Sequence, residues 1–421
     1  MSLYKALLSF FRGLDRRFKV MLVAIGFYSW TNSLPSQYNQ LYATALGANP
    51  VELGSLNSVG SLVNSVISAP TGWFIDRYGV KKIIIFGLAL SAVVSGIYGY
   101  AVNWWMLIPA IILTQISMRL IMPLTDIIIV GTTKPEERSL AMGFSRTIWA
   151  IPSIFAPMIA SMVVSYFGGI NAQGIRPLYF IQFATIIFVI LFISIMLKPL
   201  PAYSSAKKFR SKLNSKKISF IEDFKEVIKS EKWLKHWAII MSLRQFGMNV
   251  AMPFIPLWMV QVKGADPYIL GVLGTLSIVT SALLQIPMGR LADKIGRKKV
   301  FLILRPFSYL GNILLILAPS PEVLILLGVL GAIGLMGGIG GVSFIPFITM
   351  YWESVSAEKR GRLFGFTGIF SIFAVFASML GGFLWQAGQM ELVLLLPVLI
   401  EVLVSIPILM RIPDTFITHT L

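Results

Sequence analysis

The sequence contains no cysteine and only two histidines in 421 residues. Without cysteine the chain can form no disulfide, no thiolate metal site and no thiol nucleophile. His236 stands at the entrance of a predicted helix and His419 lies in the tail, so we do not expect this pair to hold zinc or haem. We therefore predict no metal and no cofactor.

Nucleotide-binding and catalytic patterns are also missing from the sequence. It has no glycine-rich loop of the Walker type, so ATP-driven activity has no support. No cluster of histidine, cysteine and acidic residues supplies a nucleophile, a base or a metal site. We predict no catalytic residues and expect that the chain is not an enzyme.

Charged residues make up only 13% of the chain, whereas 56% of the residues are hydrophobic. This composition is too apolar for water-soluble domains of the same total length. Apolar stretches of about 20 residues, the length that crosses a hydrocarbon core as a helix, recur along the chain. We predict an all-α membrane protein with twelve transmembrane helices near residues 20–43, 51–75, 82–101, 104–130, 139–166, 177–197, 236–262, 268–291, 300–318, 322–350, 361–387 and 391–411.

The basic residues give the chain a net charge of +18, a value that by itself could indicate a nucleic acid partner. They are concentrated, however, in loops on one side of the predicted membrane, which is the pattern of cytoplasmic loops. Prominent among them are Arg12, Arg16, Arg17, Arg77, Lys81, Lys82, Lys294, Arg297, Lys298, Lys299 and Arg411. We therefore expect a multi-pass protein of the cell (plasma) membrane with both termini cytoplasmic, embedded in the lipid bilayer, and no nucleic acid partner.

The chain matches itself without gaps at an offset of 217 residues, the separation of Gly47 from Gly264. Along this register LGANPVELG in the first half corresponds to KGADPYILG in the second. Parallel repeats of this kind occur in secondary transporters, where a central site lies between the two halves. The repeat predicts an N-terminal six-helix bundle at residues 1–198 and a C-terminal six-helix bundle at residues 236–421.

Residues 199–235 form the predicted linker between the halves. A basic run is followed by a segment whose apolar residues, including Phe220, Phe224 and Val227, fall on one helical face. This pattern predicts an amphipathic helix along the inner leaflet. A basic tether to the membrane and a regulatory docking helix are both open, and we favour the tether.

Two loops at equivalent places in the halves carry a family resemblance. GWFIDRYGVKK at 72–82 and GRLADKIGRKK at 289–299 resemble the signature loop of the major facilitator superfamily. PEERSLAMG and AEKRGRLFG resemble the connection between the fourth and fifth helices of each half in that family. The resemblance covers essentially the whole chain, and it implies the major facilitator fold and secondary active transport by alternating access.

In that family the signature loop is implied to stabilise the outward-facing state. The chemistry of the loop agrees, because a glycine permits close helix approach or a positive φ. A carboxylate at the membrane boundary can favour a helix N-terminus or pair with a cation. The gating residues predicted on this basis are Gly72, Asp76, Arg77, Gly79, Gly289, Asp293, Lys294 and Gly296.

A stretch of the fifth helix, AIPSIFAPMIAS, only partly resembles the glycine- and proline-rich motif of drug antiporters in the family. Pro157 matches that motif, whereas Ala156, Ala160 and Ser161 stand where the motif has glycines. The stretch therefore gives drug efflux only partial support.

By the resemblance, the first and fourth helices of each half, and often parts of the second and fifth, line the central cavity. The first helix is too polar to face lipid, since Tyr28, Asn32 and nearby Gln37 interrupt its apolar sequence. Gln245 and Asn249 repeat the positions of Tyr28 and Asn32 in the seventh helix. We predict that these five side chains contact solute, and the alternative is that they form interhelical hydrogen bonds.

Helix four carries Gln115, Arg119 and Asp126 on one stripe. With a rise of about 1.5 Å per residue, Arg119 lies near the middle of the membrane, where a charge normally faces a cavity or a partner. If Arg119 converges with Arg146 and Arg244, the cavity is cationic and suits an anionic solute. Gln115 and the three arginines complete the predicted binding residues.

Asp126 is the predicted proton-coupling residue, because burial can raise the pKa of a carboxyl group towards physiological pH. The alternative role for Asp126 is that of a gate partner for Arg77. The sequence thus predicts a monomeric secondary active transporter that moves a small organic solute, such as an organic anion or a drug, coupled to protons. The alternative function is a non-transporting membrane sensor or scaffold with the same fold.

Overall fold

A computed structural model describes residues 15–67, 80–132, 138–197, 233–335, 337–354 and 374–414 of the chain, with side chains except at residue 80 and residues 123–149. The described helical segments group into twelve helices, numbered α1 to α12 in chain order. Their bounds are α1 Arg16–Ser33 and Asn39–Ala45, α2 Pro50–Ile67, α3 Val80–Tyr100, α4 Leu107–Thr132, α5 Arg138–Tyr166, α6 Ala172–Met196, α7 Leu234–Val262, α8 Pro267–Ile295, α9 Arg297–Leu317, α10 Pro321–Leu330, Gly338–Val342 and Phe344–Glu353, α11 Ala374–Gln386, and α12 Met390–Arg411.

The predicted all-α membrane architecture of two six-helix bundles is confirmed. Within the described ranges no strand is present, and seven helices are long and apolar enough to cross a membrane. The other described helical segments include ones shortened by internal breaks and one, α11, that is described only from Ala374. The domain boundaries at residues 198 and 236 remain predictions.

The sequence repeat explains how α2 and α8 begin. Gly47 and Gly264 take positive φ angles of 97° and 73°, which reverse the chain at no steric cost. Asn49 exchanges two hydrogen bonds with Glu52, and Asp266 accepts a bond from the third residue of α8. These bonds satisfy backbone N–H groups that have no partner inside the helix. The repeated motif is therefore a turn followed by a helix N-cap.

Two helices predicted as continuous are broken by proline. In α1 the helix stops at Ser33 and resumes at Asn39, with Pro35 between. In α7 regular helix ends at Ala251, and Pro253 lies in the turn that follows. Proline supplies no N–H and clashes with the preceding turn, so both breaks have the same cause.

The predicted helix at 322–350 is wrong in its middle, because α10 is interrupted by a glycine-rich turn. Gly331 and Gly334 take φ angles of 75° and 96° there. Asn312 of α9 is fully buried, accepts the backbone N–H of Ile333 at 2.7 Å and donates to a backbone oxygen of α12. A buried amide thus satisfies non-helical backbone at membrane depth, where water is absent.

The halves touch at the end of the bundle that holds the Gly47 and Gly264 turns, which we call the distal end. Gly54 of α2 lies against the backbone oxygen of Ser378 in α11, and Gly271 of α8 lies against Ser161 in α5. Both pairs are related by the 217-residue repeat. Each glycine lets two helices approach more closely than any side chain would allow.

Cations bind the carboxyl ends of helices at repeated positions. Lys81 donates to the backbone oxygens of Ser194 and Leu197 at the end of α6. Lys298, its repeat partner, donates to the oxygens of Met410 and Ile412 at the end of α12. Carbonyl groups at a helix end have no partner within the helix and carry partial negative charge. Each lysine therefore ties the third helix of its half to the sixth.

The same arrangement recurs at the distal end with different donors. Arg176 of α6 donates to the backbone oxygen of Ala101 after α3, at 2.8 Å. Lys263 after α7 donates to the oxygen of Ala318 after α9, at 3.0 Å. Ala101 and Ala318 are repeat partners. Both basic residues therefore cap a helix end.

Candidate solute-binding cavity

A cavity of about 270 Å³ lies between the halves. Helices α1 to α4 supply most of its wall, and α7 supplies the rest. Its described lining consists of Asn39, Gln40, Ala43, Leu53, Leu56, Asn57, Gly60, Ser61, Asn64, Tyr98, Leu107, Ile111, Thr114, Gln115, Asn249 and Met252. Of the predicted binding residues, Gln115 and Asn249 belong to this set. Among these lining residues, none carries a formal charge.

The N-terminal half contributes a polar stripe that sequence analysis missed. Asn57, Ser61 and Asn64 of α2 lie three to four residues apart and line the cavity together. Their helical spacing was a readable signal, because polar groups repeated on one face of an apolar helix point away from lipid. Asn39 and Gln40 stand beyond the proline break in α1, where the chain turns them towards the same space.

Arg119 supports the cavity wall without being among its lining residues. Its Nε donates to Asn64 Oδ1 at 2.8 Å, and Asn64 lines the cavity. Helical side chains lean towards the helix N-terminus, so Arg119 extends towards Gln115, one turn away. The guanidinium is therefore next to the cavity, at partial burial.

The remaining predicted residues of α1 make contacts within the protein. Tyr28 is buried in a core cluster formed with α3, α4 and α6. Asn32 donates to the Tyr28 backbone oxygen and accepts from Gln182 of α6 at 3.2 Å, which is the interhelical alternative left open by the sequence. Gln37 packs against Gly274 of α8 and joins the halves at the distal end. Its buried Oε1 has no hydrogen-bond partner in the described structure.

The repeat residues of α7 sit differently from those of α1. Asn249 lines the cavity, and its Nδ2 donates to the backbone oxygen of Gln245 at 2.8 Å. Gln245 is half-buried, and only its backbone is engaged in that bond. Because this bond uses the Nδ2 of Asn249, its amide oxygen remains available to the cavity.

Arg244 lines a second, much smaller cavity of about 10 Å³ inside the C-terminal half. Its guanidinium lies over the rings of Phe344 and Phe347, at 5.1 and 4.7 Å from their centroids. Such contacts stabilise a cation through the quadrupole of the ring. The described structure thus puts Arg244 and the surroundings of Arg119 at different cavities.

A buried ion pair stands beside Arg244 that sequence analysis did not pair. Arg305 of α9 and Glu401 of α12, 4% and 6% exposed, form a bidentate pair. Tyr309 donates to the same carboxylate at 3.2 Å. Glu401 begins a π-helical turn within α12. No sequence spacing links residues on two separate helices, so only the fold could reveal this pair.

The second copy of the signature loop shows how its charges are engaged. Asp293, with a side chain 68% exposed, lies 3.5 Å from Arg297, and Arg297 also pairs with Glu353 at the end of α10. Gly296 takes a φ angle of 104° between α8 and α9. No described atom lies within 4 Å of the Cβ position of Gly289, and Lys294 is exposed.

Several predicted residues lie outside what the structure describes. The first signature loop, with Gly72, Asp76, Arg77 and Gly79, falls outside the described ranges, and so does nearly all of the linker at 199–235. Asp126 and Arg146 lie in the helical backbone of α4 and α5, but at positions whose side chains are not described. Their roles remain predictions.

Comparison with known sequences finds similarity to two multidrug resistance proteins. It is 24% identical over 241 residues to multidrug resistance protein 2 of Bacillus subtilis, which covers 56% of this chain and 57% of that protein. It is 22% identical over 280 residues to multidrug resistance protein MdtG of Escherichia coli, covering 66% and 65%. The matches thus span less than two thirds of the length of these relatives.

Solved structures give the same fold. The nucleoside transporter NupG superposes with a TM-score of 0.71 at 13% identity, covering 95% of this chain and all of that one. A D-xylose-proton symporter superposes with a TM-score of 0.66 at 12% identity, covering 94% and 98%. The sequence model of the Major Facilitator Superfamily matches residues 20–243 and 237–418, nearly the whole chain. With twelve helices in two repeated halves around a polar cavity, this chain belongs to the Major Facilitator Superfamily.

Proposed function

We propose that this protein is a secondary active transporter that moves a small organic solute across the cell membrane by alternating access. The observation that carries the proposal is a polar cavity lined by both halves, with Asn39 from the N-terminal half and Asn249 from the C-terminal half. A cavity between halves that can rock against each other is the arrangement that alternating access requires. Membrane transport itself follows from the family.

We propose that transport is coupled to protons, with Asp126 as the coupling residue. A carboxyl group inside an apolar helix binds a proton more readily than one in water. The name of one structural neighbour, a D-xylose-proton symporter, supports proton coupling by analogy. A gate contact with Arg77 is the alternative role for Asp126.

We propose that the signature loop gates the cytoplasmic side through Asp76. The described second copy supports this role, since Asp293 and Arg297 join α8, α9 and α10 by ionic contacts. Asp76→Asn should slow transport while expression stays normal. Unchanged turnover in that variant would remove Asp76 from the gate.

Two solute classes follow from the sequence and the relatives. The sequence alone favours an organic anion through Arg119, whose Nε donates to the Asn64 amide in the described structure. A drug is supported by the names of the curated relatives, which are multidrug resistance proteins.

Solute counterflow in proteoliposomes tests transport and coupling together. Wild type should exchange labelled solute against an internal pool without ATP, and an imposed pH gradient should drive accumulation. Asp126→Asn should keep exchange but lose accumulation, because exchange needs no net proton movement. Binding without exchange in wild type would instead identify a sensor, and accumulation retained by Asp126→Asn would move coupling elsewhere.

A further inference from the structure

We propose that the central cavity binds an uncharged, polyhydroxylated solute. The proposal rests on the transport function proposed above and names the chemical class of its solute. Six amide side chains carry the argument, namely Asn39, Gln40, Asn57, Asn64, Gln115 and Asn249, which all line the one cavity.

Two of the amides are held so that they offer donors to the cavity. Asn39 Oδ1 accepts a hydrogen bond from the Tyr179 hydroxyl at 2.9 Å, which leaves its NH₂ group for a solute. Asn64 Oδ1 accepts from Arg119 in the same way. Because a guanidinium has no acceptor, this bond fixes which end of the Asn64 amide remains free. Arg119 thereby acts as a positioning residue for a donor.

Two other amides are held so that they offer acceptors to the cavity. The Nδ2 of Asn57 donates to the backbone oxygen of Leu53, and that of Asn249 donates to Gln245. Their Oδ1 atoms remain as acceptors. Gln40 and Gln115 make no side-chain hydrogen bond within the described residues, so each can both donate and accept. The wall therefore offers both donors and acceptors.

A hydroxyl group is the partner that this wall fits. Each hydroxyl donates one hydrogen bond and accepts others, so a solute with several hydroxyls can satisfy donors and acceptors at once. A site built to bind hydroxyl groups rejects analogues that lack them, because its amides would lose water and gain nothing. A purely lipophilic solute would therefore bind poorly.

The absence of charge in the described lining argues against an ionised solute. A charged group moved from water into this cavity would lose hydration and find no residue of opposite sign among the described lining residues. Arg119 is engaged with Asn64 behind the wall. Leu53, Leu56 and Ile111 supply apolar surface between the amides, which suits the C–H faces of a sugar ring. The volume of about 270 Å³ is just below the roughly 300–1,000 Å³ typical of ligand pockets, which fits a small solute.

The test uses four probes that separate the chemical classes. Glucose and glucuronate form a matched pair that differs by one carboxylate, uridine offers hydroxyls on a nucleoside, and tetraphenylphosphonium is a lipophilic cation. Thermal stability of the purified full-length protein is measured with each, because a ligand of the folded state raises the unfolding temperature. Counterflow of any stabilising probe then establishes transport.

We expect stabilisation by glucose or uridine, and none by glucuronate or tetraphenylphosphonium. Glucose acting alone would identify a sugar, and uridine acting alone would identify a nucleoside. Gln115→Met and Gln40→Met should each weaken binding by up to about tenfold, since each removes one or two hydrogen bonds to solute at similar side-chain volume. Asn103→Ala is the matched control, because this exposed amide makes no capping bond and lies away from the cavity.

Each contrary result has a defined meaning. Stabilisation and counterflow by glucuronate or tetraphenylphosphonium alone would overturn the solute class while leaving transport intact. Neutral solutes that bind equally well to wild type and to both glutamine variants would overturn the assignment of the site. Absence of stabilisation and of counterflow with both glucose and uridine would overturn the solute class, whereas transport itself is tested by the counterflow experiment described above.

Discussion

Arg305 and Glu401 form a buried ion pair between α9 and α12. Both groups are buried at membrane depth, where an unpaired charge is strongly unfavourable. Mutual attraction and the bond from Tyr309 offset the loss of hydration. The pair is therefore a structural constraint on how α9 and α12 can move relative to each other.

Removing one partner should be much worse than removing both. Arg305→Met leaves a buried carboxylate unpaired, and we expect a loss of about 3–5 kcal/mol in unfolding free energy. The double variant Arg305→Met with Glu401→Met removes both charges of the pair, so it should recover part of that loss, while Arg244 beside the pair keeps its contacts with Phe344 and Phe347. Thermal and denaturant unfolding in detergent measure both. Additive losses in the double variant would show that the two side chains do not act as a pair.

At the residue scale, sequence analysis identified the polar residues within the membrane better than it identified their contact partners. Arg119 was expected to face a cavity or a partner because a mid-membrane charge demands it, and the structure shows an amide partner on the cavity wall. Asn249 and Gln115 line the cavity. Whether Arg119 converges with Arg244 could not be predicted from residue spacing, because it depends on how separate helices pack.

Helix ends, more than helix interiors, organise each half of the molecule. Lys81 and Lys298 bind the carboxyl ends of α6 and α12, although charge patterning assigned such lysines only to topology. Asp414 accepts the backbone N–H of Lys298 at 3.1 Å and adds a further bond between α12 and α9. In each half, a lysine thus connects the third and sixth helices at the end of the bundle opposite the distal end.

Replacing either lysine should loosen its own half. Lys81→Met and Lys298→Met remove a cation from a helix carboxyl end, and we expect each to cost about 0.3–1 kcal/mol in stability. The adjacent exposed lysines provide matched controls, so Lys82→Met and Lys299→Met should change stability little. Unfolding temperatures of the four variants give the comparison. Equal losses in all four would indicate that net charge, and not helix capping, is responsible.

At the element scale, composition and repeat predicted the number and order of the helices, but not their interruptions. The length of an apolar stretch depends on many residues, so single residues change that prediction little. A break in a helix depends instead on whether the freed backbone groups find hydrogen-bond partners. Asn312 satisfies the break in α10 from a different helix. A glycine-rich stretch signals that a break can occur, and the buried amide that stabilises it is visible only in the fold.

For the whole molecule, the distal contacts decide whether the halves can close. A methyl group at Gly54 would overlap the backbone oxygen of Ser378, which cannot move aside as a side chain could. Gly54→Ala should therefore hold the distal end open. Gly271→Ala should do the same, because its methyl group would meet the Ser161 Cβ at 2.7 Å and the Pro157 backbone oxygen at 3.0 Å. Transport should slow in both, since one of the two states is disfavoured.

The natural absence of cysteine makes this opening directly measurable. Ala43→Cys puts a single thiol on the cavity wall of a chain that has no other. A membrane-impermeant maleimide applied from the distal side should label it about tenfold faster in the Gly54→Ala background, if opening is favoured by about 1.4 kcal/mol. Gly96→Ala, with its nearest contact at 3.9 Å, is the control. Equal labelling in all backgrounds would exclude a closing role for Gly54.

The repeated distal contacts also describe the symmetry of the molecule. Gly54 meets Ser378 while Gly271 meets Ser161, and each half contains one glycine and one serine at corresponding positions. A single six-helix half therefore carries both members of the contact and is self-complementary. Two-fold dimers have isologous interfaces of this kind, in which the same patch is used twice. One covalent chain here has the internal geometry of a homodimer.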